Sequence, residues 1–254
     1  KKFYGPSTLR KGIENSRNLM TIRIAQYLGM EKVAEIANRT GVMENMPNVL
    51  SMALGAGETS LIDLTAAYAS FVNGGKKVEP SLIDRIQDRR GKNIFLENFA
   101  ACTNCEEPYI EENPMPKLVN SSESIFDEAK SYQMVSILKG AVDRGTGRKT
   151  KIDGIEIAGK TGTTNNNTDA WFIGFTSDLI IGVYAGFDKP KSLGKRETGS
   201  SVAVPIFRDF VKNYYQEKPI LPFTIPNGIE LIRIDYDTGE ITSNFNSSES
   251  VYEA

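Results

Sequence analysis

The order of the apolar patterns along these 254 residues predicts an α+β fold. Helical spacing dominates roughly the first 75 residues, whereas three apolar segments of strand length follow one another after residue 150. Short polar turns join those late segments, and no helical pattern alternates with them. The sequence therefore predicts an antiparallel meander packed against helices and argues against a parallel sheet of βαβ units.

Four segments near the N-terminus have the apolar periodicity of helices. They lie around Leu9–Ile13, Leu19–Leu28, Glu31–Arg39 and Leu61–Val72. Gly29, Gly41 and the triplet Asn73-Gly74-Gly75 follow three of them. These positions mark the expected helix ends, because glycine readily adopts the left-handed backbone conformation that terminates many helices.

The middle of the chain is predicted to contain strands, then a loop, then a helix. Residues 76–96 resemble strands that meet at a turn, Arg90-Gly91-Lys92. Residues 97–124 are rich in Pro, Ser, Asn and Glu, so we expect a loop there. A helix is then predicted from Ser131 to Val142.

The late sheet and the tail complete the predicted architecture. The strands are expected at Ile155–Thr164, Ala170–Thr176 and Leu179–Phe187, with turns at Asn165-Asn166-Asn167 and Thr176-Ser177-Asp178. Val204–Tyr215 has the pattern of a last amphipathic helix. Beyond Pro219 the tail resembles a short β appendage with a turn at Asp237-Thr238-Gly239. We expect two units, a main domain over 1–217 and a C-terminal extension over 218–254.

The composition excludes several function classes. The chain contains no histidine, which removes Ser-His-Asp and Cys-His sites and every histidine-ligated metal site. Acid–base chemistry near neutral pH would fall to Lys, Tyr, Asp or Glu, so lysine-assisted serine chemistry becomes a leading candidate. The net charge of −2 does not favour a nucleic-acid partner, and no apolar run reaches the roughly 18 residues of a membrane span. Because the N-terminus is neither a methionine nor a signal peptide, we expect an internal cut in a longer protein.

The two cysteines, Cys102 and Cys105, form a single Cys-x-x-Cys. A zinc site would need two further ligands, which only carboxylates could supply here. A thioredoxin-like redox pair would stand at a strand-to-helix junction, whereas this pair lies in a polar, proline-containing stretch. A small loop disulfide in an oxidising compartment is favoured over both alternatives. We expect it to be remote from any active cleft.

Lys160-Thr161-Gly162-Thr163-Thr164 stands at the end of the first late strand. On a strand, Thr161 and Thr163 share one face and Lys160 and Gly162 the other. Two hydroxyls on one face can hold a carboxylate, while Gly162 lets a backbone or a reacting group come close. Taken alone, the motif favours the plainer interpretation of a threonine-rich strand end that enters a turn. Lys-Thr-Gly also occurs in penicillin-recognising enzymes, together with Ser-x-x-Lys and a Ser-Asp-Asn-like triplet.

A second short motif, Ser16-Arg17-Asn18, lies between two predicted helices. By itself it could be a helix cap. Together, however, ordered segments over nearly the whole chain resemble the class A penicillin-binding proteins. These segments are Gly5-Pro6-Ser7-Thr8-Leu9-Arg10, Glu14-Asn15-Ser16-Arg17-Asn18, Ala53-Leu54-Gly55, Ala66-Ala67-Tyr68-Ala69, Asn73-Gly74-Gly75, Gly145-Thr146-Gly147, Ala158-Gly159-Lys160-Thr161-Gly162-Thr163-Thr164, Asp169-Ala170-Trp171-Phe172-Ile173-Gly174 and Arg233-Ile234-Asp235-Tyr236-Asp237-Thr238-Gly239.

The resemblance implies a β-lactamase/transpeptidase fold, incomplete at the N-terminus, and a peptidoglycan DD-transpeptidase that β-lactams acylate. Residues 1–217 would be part of the transpeptidase domain. Ser16 would relay a proton, Asn18 would hold the donor amide, and Lys160 would supply positive charge beside Ser16. The strand Thr161, Gly162, Thr163 and Thr164 would bind the substrate, with both threonines of the Thr-Gly-Thr triplet on its terminal carboxylate.

The partners implied are donor and acceptor stem peptides and β-lactam antibiotics, on the periplasmic side of the bacterial inner membrane. Contact with that membrane would come only through an N-terminal anchor absent from this chain. The resemblance implies no cofactor and no metal.

The family places its nucleophile in a Ser-x-x-Lys on a helix upstream of the Ser-x-Asn triplet, and no such motif precedes Ser16. Two other matches start at Ser136 and Ser192, and we expect neither to be the nucleophile. Ser136 should lie on the solvated side of its helix, and Ser192 lies in a Gly/Pro loop. Alternative functions are a DD-carboxypeptidase or β-lactamase-type hydrolase of the same fold, or a non-catalytic module that binds peptidoglycan or a partner protein.

Overall fold

A computed structural model describes residues 4–97, 100–103, 117–120, 122–243 and 250–254. Within these ranges the α-helices are α1 (Leu9–Glu14), α2 (Asn18–Leu28), α3 (Met30–Arg39), α4 (Leu61–Val72), α5 (Glu128–Asp143) and α6 (Val204–Tyr214). Each lies where the sequence predicts a helix. Side chains of Thr8, Ser60 and Asp127 accept hydrogen bonds from backbone N–H groups in the first turns of α1, α4 and α5.

The late strands form an antiparallel sheet of three, in the order β5 (Ala158–Thr163), β6 (Asp169–Phe175) and β7 (Ile180–Gly186). The register pairs Lys160 with Ile173 and Thr163 with Ala170 across the first two strands. This is the predicted meander, and the α+β fold class is confirmed.

The sheet is covered on both faces. Phe172 and Val183 project to one face and pack with Phe207 and Val211 of α6, where the Phe172 and Phe207 ring centroids lie 4.9 Å apart. Ala158 and Phe175 project to the opposite face and pack with Val135 and Leu138 of α5. The alternation of side chains along each strand thus places two hydrophobic cores on opposite sides of one sheet.

Among the described residues, three further antiparallel strand pairs lie outside the main sheet. β1 (Arg85–Gln87) pairs with β2 (Asn93–Leu96), and β3 (Ala100–Thr103) pairs with β4 (Lys117–Asn120). The prediction of a loop over 97–124 is wrong for β3 and β4. Each of these strands has only four residues, too few for an alternating apolar pattern to stand out.

The third pair forms the C-terminal appendage, in which β8 (Ile232–Asp235) pairs with β9 (Ser250–Glu253). Two ion pairs attach this appendage to α1, one from Arg10 to Glu253 and one from Lys11 to Asp237. Gln133 of α5 also donates to the backbone carbonyl of Ala254 over 2.8 Å. Among the helices described here, none is both long enough and apolar enough to cross a membrane.

Candidate active site

Lys160 and Ser16, which stand 144 positions apart in the sequence, meet directly in the folded chain. The Lys160 Nζ donates a hydrogen bond to the Ser16 Oγ, and it lies 3.2 Å from the backbone oxygen of Thr161. Burial lowers the pKa of Lys160 to about 8, because the charged form is poorly solvated there. An ammonium of unusually low pKa is therefore held against a serine hydroxyl.

Ser16 occupies a strained backbone position just past the end of α1. Its φ of 52° lies in the left-handed region, which usually favours glycine. The Ser16 N–H donates to the Ile13 carbonyl over 3.1 Å, and the Arg17 N–H donates to the Gly12 carbonyl over 2.9 Å. These two bonds are those of a Schellman helix end, with serine where glycine is common.

Ser16 is therefore not a cap of α2. Arg17 holds the N-cap position of that helix, and its side chain makes no capping bond. Asn18 is the first residue of α2, two positions after Ser16, and its side chain is exposed. The Ser16–Asn18 turn thus presents a hydroxyl and an amide close to each other at the surface.

Thr161 and Thr163 share the face of β5 opposite Lys160, as predicted. The Thr161 hydroxyl lies 2.9 Å from the Thr146 hydroxyl, so one of them donates to the other. The Thr163 Oγ1 accepts a hydrogen bond from the Gly199 N–H over 3.0 Å. Because Thr163 is used there as an acceptor and is exposed, its hydroxyl hydrogen can still be donated to a ligand.

Two glycines allow the backbone segments around β5 to approach one another. A Cβ on Gly162 would lie 3.1 Å from the Trp171 Cβ. A Cβ on Gly199 would overlap the Trp171 carbonyl oxygen and would lie 2.6 Å from the Gly162 oxygen. Gly199 begins the π-helical turn Gly199–Ala203 that leads into α6, so this turn can lie against the Lys-Thr-Gly strand only with glycine there.

Thr164 has different surroundings from the other strand threonines. Its hydroxyl contacts Thr168 at 2.7 Å and the Asp169 carboxylate at 3.0 Å, and it accepts from the Asp169 N–H over 2.9 Å. These contacts close the turn between β5 and β6. A contact of Thr164 with substrate stays a prediction.

A fully buried carboxylate lies behind the Ser16 turn, and sequence reasoning missed it. Glu14 has 0% of its side chain exposed and contacts Arg144 over 2.6 and 3.2 Å. Tyr236 donates its hydroxyl to the same carboxylate over 2.9 Å. In the folded chain Gly145 lies against the backbone of this residue, where a Cβ would overlap the Glu14 carbonyl oxygen, but no feature of the sequence points to the buried carboxylate.

The family model for the penicillin binding protein transpeptidase domain matches residues 1–212. The chain belongs to this family. The chain is 46% identical to Penicillin-binding protein 1A of Rickettsia conorii over 247 residues, which cover 95% of this chain and 31% of that protein. It is 33% identical to Penicillin-binding protein 1A of Pseudomonas aeruginosa over 268 residues, 93% of this chain and 33% of that one. The chain thus spans about a third of the length of the curated relatives it matches.

Solved structures agree with this membership. Penicillin-Binding Protein 1A from Haemophilus influenzae superposes with a TM-score of 0.82 at 29% identity, over 99% of this chain and 40% of that one. The penicillin-binding protein PonA1 from Mycobacterium tuberculosis gives a TM-score of 0.72 over 92% of this chain and 60% of its own. At 20% identity, the second match supports the fold alone.

Neither internal Ser-x-x-Lys of this transpeptidase domain forms a serine–lysine pair. The Ser136 hydroxyl accepts from Arg10 Nη2 over 3.0 Å, and Lys139 is paired with Glu156 instead. Ser136 was expected on a solvated face, but Arg10 of α1 packs over it, so that expectation is wrong. Ser192 is exposed in its loop, where its hydroxyl accepts from the Gly194 N–H over 3.2 Å.

The predicted disulfide lies outside the residues that the structure describes, because Cys105 falls in the undescribed range 104–116. Only the backbone of Cys102 is described, opposite Leu118 in the β3–β4 pair. Over the described part of the chain, no three acidic or cysteine side chains are grouped closely enough to hold a metal ion.

Proposed function

We propose that this chain supplies the substrate-binding strand and the proton relay of a peptidoglycan DD-transpeptidase. An active-site serine attacks the carbonyl between the two terminal D-alanines of a donor stem peptide. An ester bond to the serine forms, the peptide C–N bond breaks, and D-alanine leaves with the proton on its amine. An acceptor amine then displaces the serine and forms the cross-link. Membership of the transpeptidase family and the relatives named Penicillin-binding protein 1A support this reaction.

The observation that carries the proposal is the hydrogen bond between Lys160 and Ser16 beside the Thr161–Thr163 strand. An ammonium next to a hydroxyl allows Ser16 to pass a proton towards the leaving amine while Lys160 holds the positive charge. The hydroxyls of Thr161 and Thr163 would bind the terminal carboxylate of the donor. The Thr163 backbone N–H would form half of an oxyanion hole, and the exposed Asn18 would hold the donor amide.

We further infer that the attacking serine belongs to a segment outside this chain. Ser136 is covered by Arg10, and Ser192 lies in an exposed loop, so neither has a lysine partner. Ser16 already has its own lysine, but it stands in a Ser-x-Asn triplet and not in a Ser-x-x-Lys. Membership of the transpeptidase family supports two further parts of the proposal, that β-lactams mimic the donor and that the reaction takes place on the periplasmic side of the inner membrane.

The test is the acylation of the full-length protein by a labelled penicillin, with Thr163→Val and Thr163→Ser as a matched pair. The valine lacks the hydroxyl that would meet the carboxylate, whereas serine keeps it. A hydrogen bond to a charged group is typically worth about 1.5–3 kcal/mol, so acylation of Thr163→Val should fall roughly 10- to 100-fold. Thr163→Ser and Thr224→Val, an exposed threonine in the segment between α6 and β8, should stay near the wild-type rate.

The outcome against the proposal is equally concrete. If Thr163→Val is acylated at the wild-type rate, the strand does not belong to the binding site. If the labelled penicillin does not acylate the wild-type protein at all, the proposed penicillin-binding chemistry is refuted. With a natural donor, release of D-alanine without any cross-linked product would make the enzyme a carboxypeptidase.

A further inference from the structure

The C-terminal strand pair β8–β9 packs on α1, the helix that ends two residues before Ser16. Arg10 of α1 makes a two-pronged contact with Glu253 of β9, at 2.6 Å from both Nε and Nη2. Arg10 is 3% exposed, so the ion pair lies largely out of water. Lys11 pairs with Asp237, and its neighbouring ring, Tyr236, lies 5.3 Å from the Lys11 ammonium. The appendage therefore holds α1 through charged contacts on two successive residues.

Between the appendage and the site lies the buried carboxylate of Glu14. Arg144 binds it at 2.6 and 3.2 Å, and Arg10 approaches at 3.5 Å. Tyr236 completes the set with an O–H donated over 2.9 Å. Burying a carboxylate removes its hydration, and these hydrogen bonds and cationic neighbours offset that loss. Burial, and then the bond to Glu14, raise the pKa of the Tyr236 phenol to about 12, so Tyr236 stays a donor at neutral pH.

Glu14 is connected to the site through short steps. Its backbone oxygen accepts from the Thr146 N–H over 3.1 Å, and the Thr146 hydroxyl contacts that of Thr161 on the substrate strand. On the other side, the Asn15 side chain donates to the Tyr236 hydroxyl over 3.1 Å. Asn15 immediately precedes Ser16. The Tyr236 hydroxyl thus contacts both residues that lead into the Ser16 turn.

We propose that the C-terminal strand pair is a positioning element for the Ser16–Lys160 pair, and that the Tyr236 hydroxyl is its contact with the site. This proposal rests on the proposed transpeptidase function. Tyr236 does not touch a substrate. It fixes the Glu14 carboxylate on Arg144 and the Asn15 side chain, and these hold Ser16 in its left-handed turn in front of Lys160.

The test compares Tyr236→Phe with wild type in the full-length protein, using a fluorescent penicillin. Phenylalanine keeps the ring and removes only the hydroxyl that Glu14 and Asn15 share. Two constants are measured, the affinity of the non-covalent complex and the rate of acylation within it. We expect the acylation rate to fall roughly tenfold, since small misplacements of a catalytic group are costly, with the affinity unchanged within about twofold. The hydroxyls to which carboxylate binding is assigned, those of Thr161 and Thr163, contact Thr146 and Gly199 and not Ser16.

Three controls make the result specific. Tyr252→Phe changes a tyrosine of β9 that is 58% exposed and should leave both constants unchanged. Glu253→Gln weakens the attachment to Arg10 and should lower the acylation rate in the same direction as Tyr236→Phe. Hydrogen exchange of the Ser16 and Arg17 amides, which are bonded to α1 carbonyls, should accelerate in Tyr236→Phe while exchange in β5–β7 does not.

An unchanged acylation rate with unchanged exchange would refute the positioning role and leave the transpeptidase proposal intact. Rate and affinity falling together, in step with a lower melting temperature, would also refute it, because the hydroxyl would then be merely structural. A wild-type protein that fluorescent penicillin does not acylate would refute the proposed function, and with it the positioning role that rests on it.

Discussion

The backbone of Ser16 offers a test that separates its geometry from its chemistry. Ser16 has a φ of 52° at the end of α1, where a residue with a Cβ carries a cost of roughly 1–2 kcal/mol. Glycine avoids that cost but loses about 0.5–1 kcal/mol more conformational entropy on folding. Ser16→Gly and Ser16→Ala both lack the hydroxyl, so the comparison isolates the backbone. We expect the glycine variant to be more stable than the alanine variant by roughly 0.5–1 kcal/mol.

For a chain of this size that difference corresponds to about 1–4 °C in melting temperature. Thermal unfolding of the two variants measures it directly. Their acylation by labelled penicillin should be equally slow, because both lack the proposed proton relay, and such relays typically contribute about 10²–10⁴-fold. An alanine variant as stable as the glycine variant would refute the backbone argument. Acylation of either variant at the wild-type rate would refute the relay.

Three other predictions follow from the site and its surroundings. Since burial lowers the pKa of Lys160 to about 8, its positive charge is lost as pH rises through 8, so acylation should decline there. Lys160→Arg should move the decline in acylation rate to higher pH. If the rate declines at the same pH in both proteins, the titrating group is not Lys160. Gly199→Ala should lower the melting temperature markedly because its Cβ meets backbone, whereas Gly57→Ala, which meets only methionine side chains, should not. Cys102 and Cys105 should show no free thiol after non-reducing denaturation. Two free thiols would mean that the pair is reduced and would contradict the predicted disulfide.

Most of the fold was predictable because its long elements carry a clear periodicity. The helices from α1 to α6 and the strands β5–β7 lie where their apolar spacing placed them. The β3–β4 pair was not predictable, since its four-residue strands are joined by a long polar connection. Its backbone hydrogen bonds depend on a pairing between distant residues, which a local window does not contain.

The site divides in the same way. Lys160, Thr161 and Thr163 were predicted as site residues from a motif whose alternation on a strand has a direct chemical meaning. Glu14 was not, because a glutamate on a short helix resembles a solvated residue. Its burial is created by Arg144 and Tyr236, which follow it by 130 and 222 positions. Only the folded chain brings such partners together.

The Ser16–Lys160 contact combines two features that local preference disfavours. A glycine would form the Schellman turn with less strain, and a partly desolvated ammonium is costlier than an apolar side chain in its place. Neither the strained turn at Ser16 nor the partly desolvated Lys160 is needed to form α1 or β5. Such strain persists only where surrounding contacts impose it, and here those contacts are the bonds of Glu14, Asn15 and Tyr236 behind the turn. The cost therefore falls at the two residues to which the proton relay is assigned, and the buried network offsets it from outside the site.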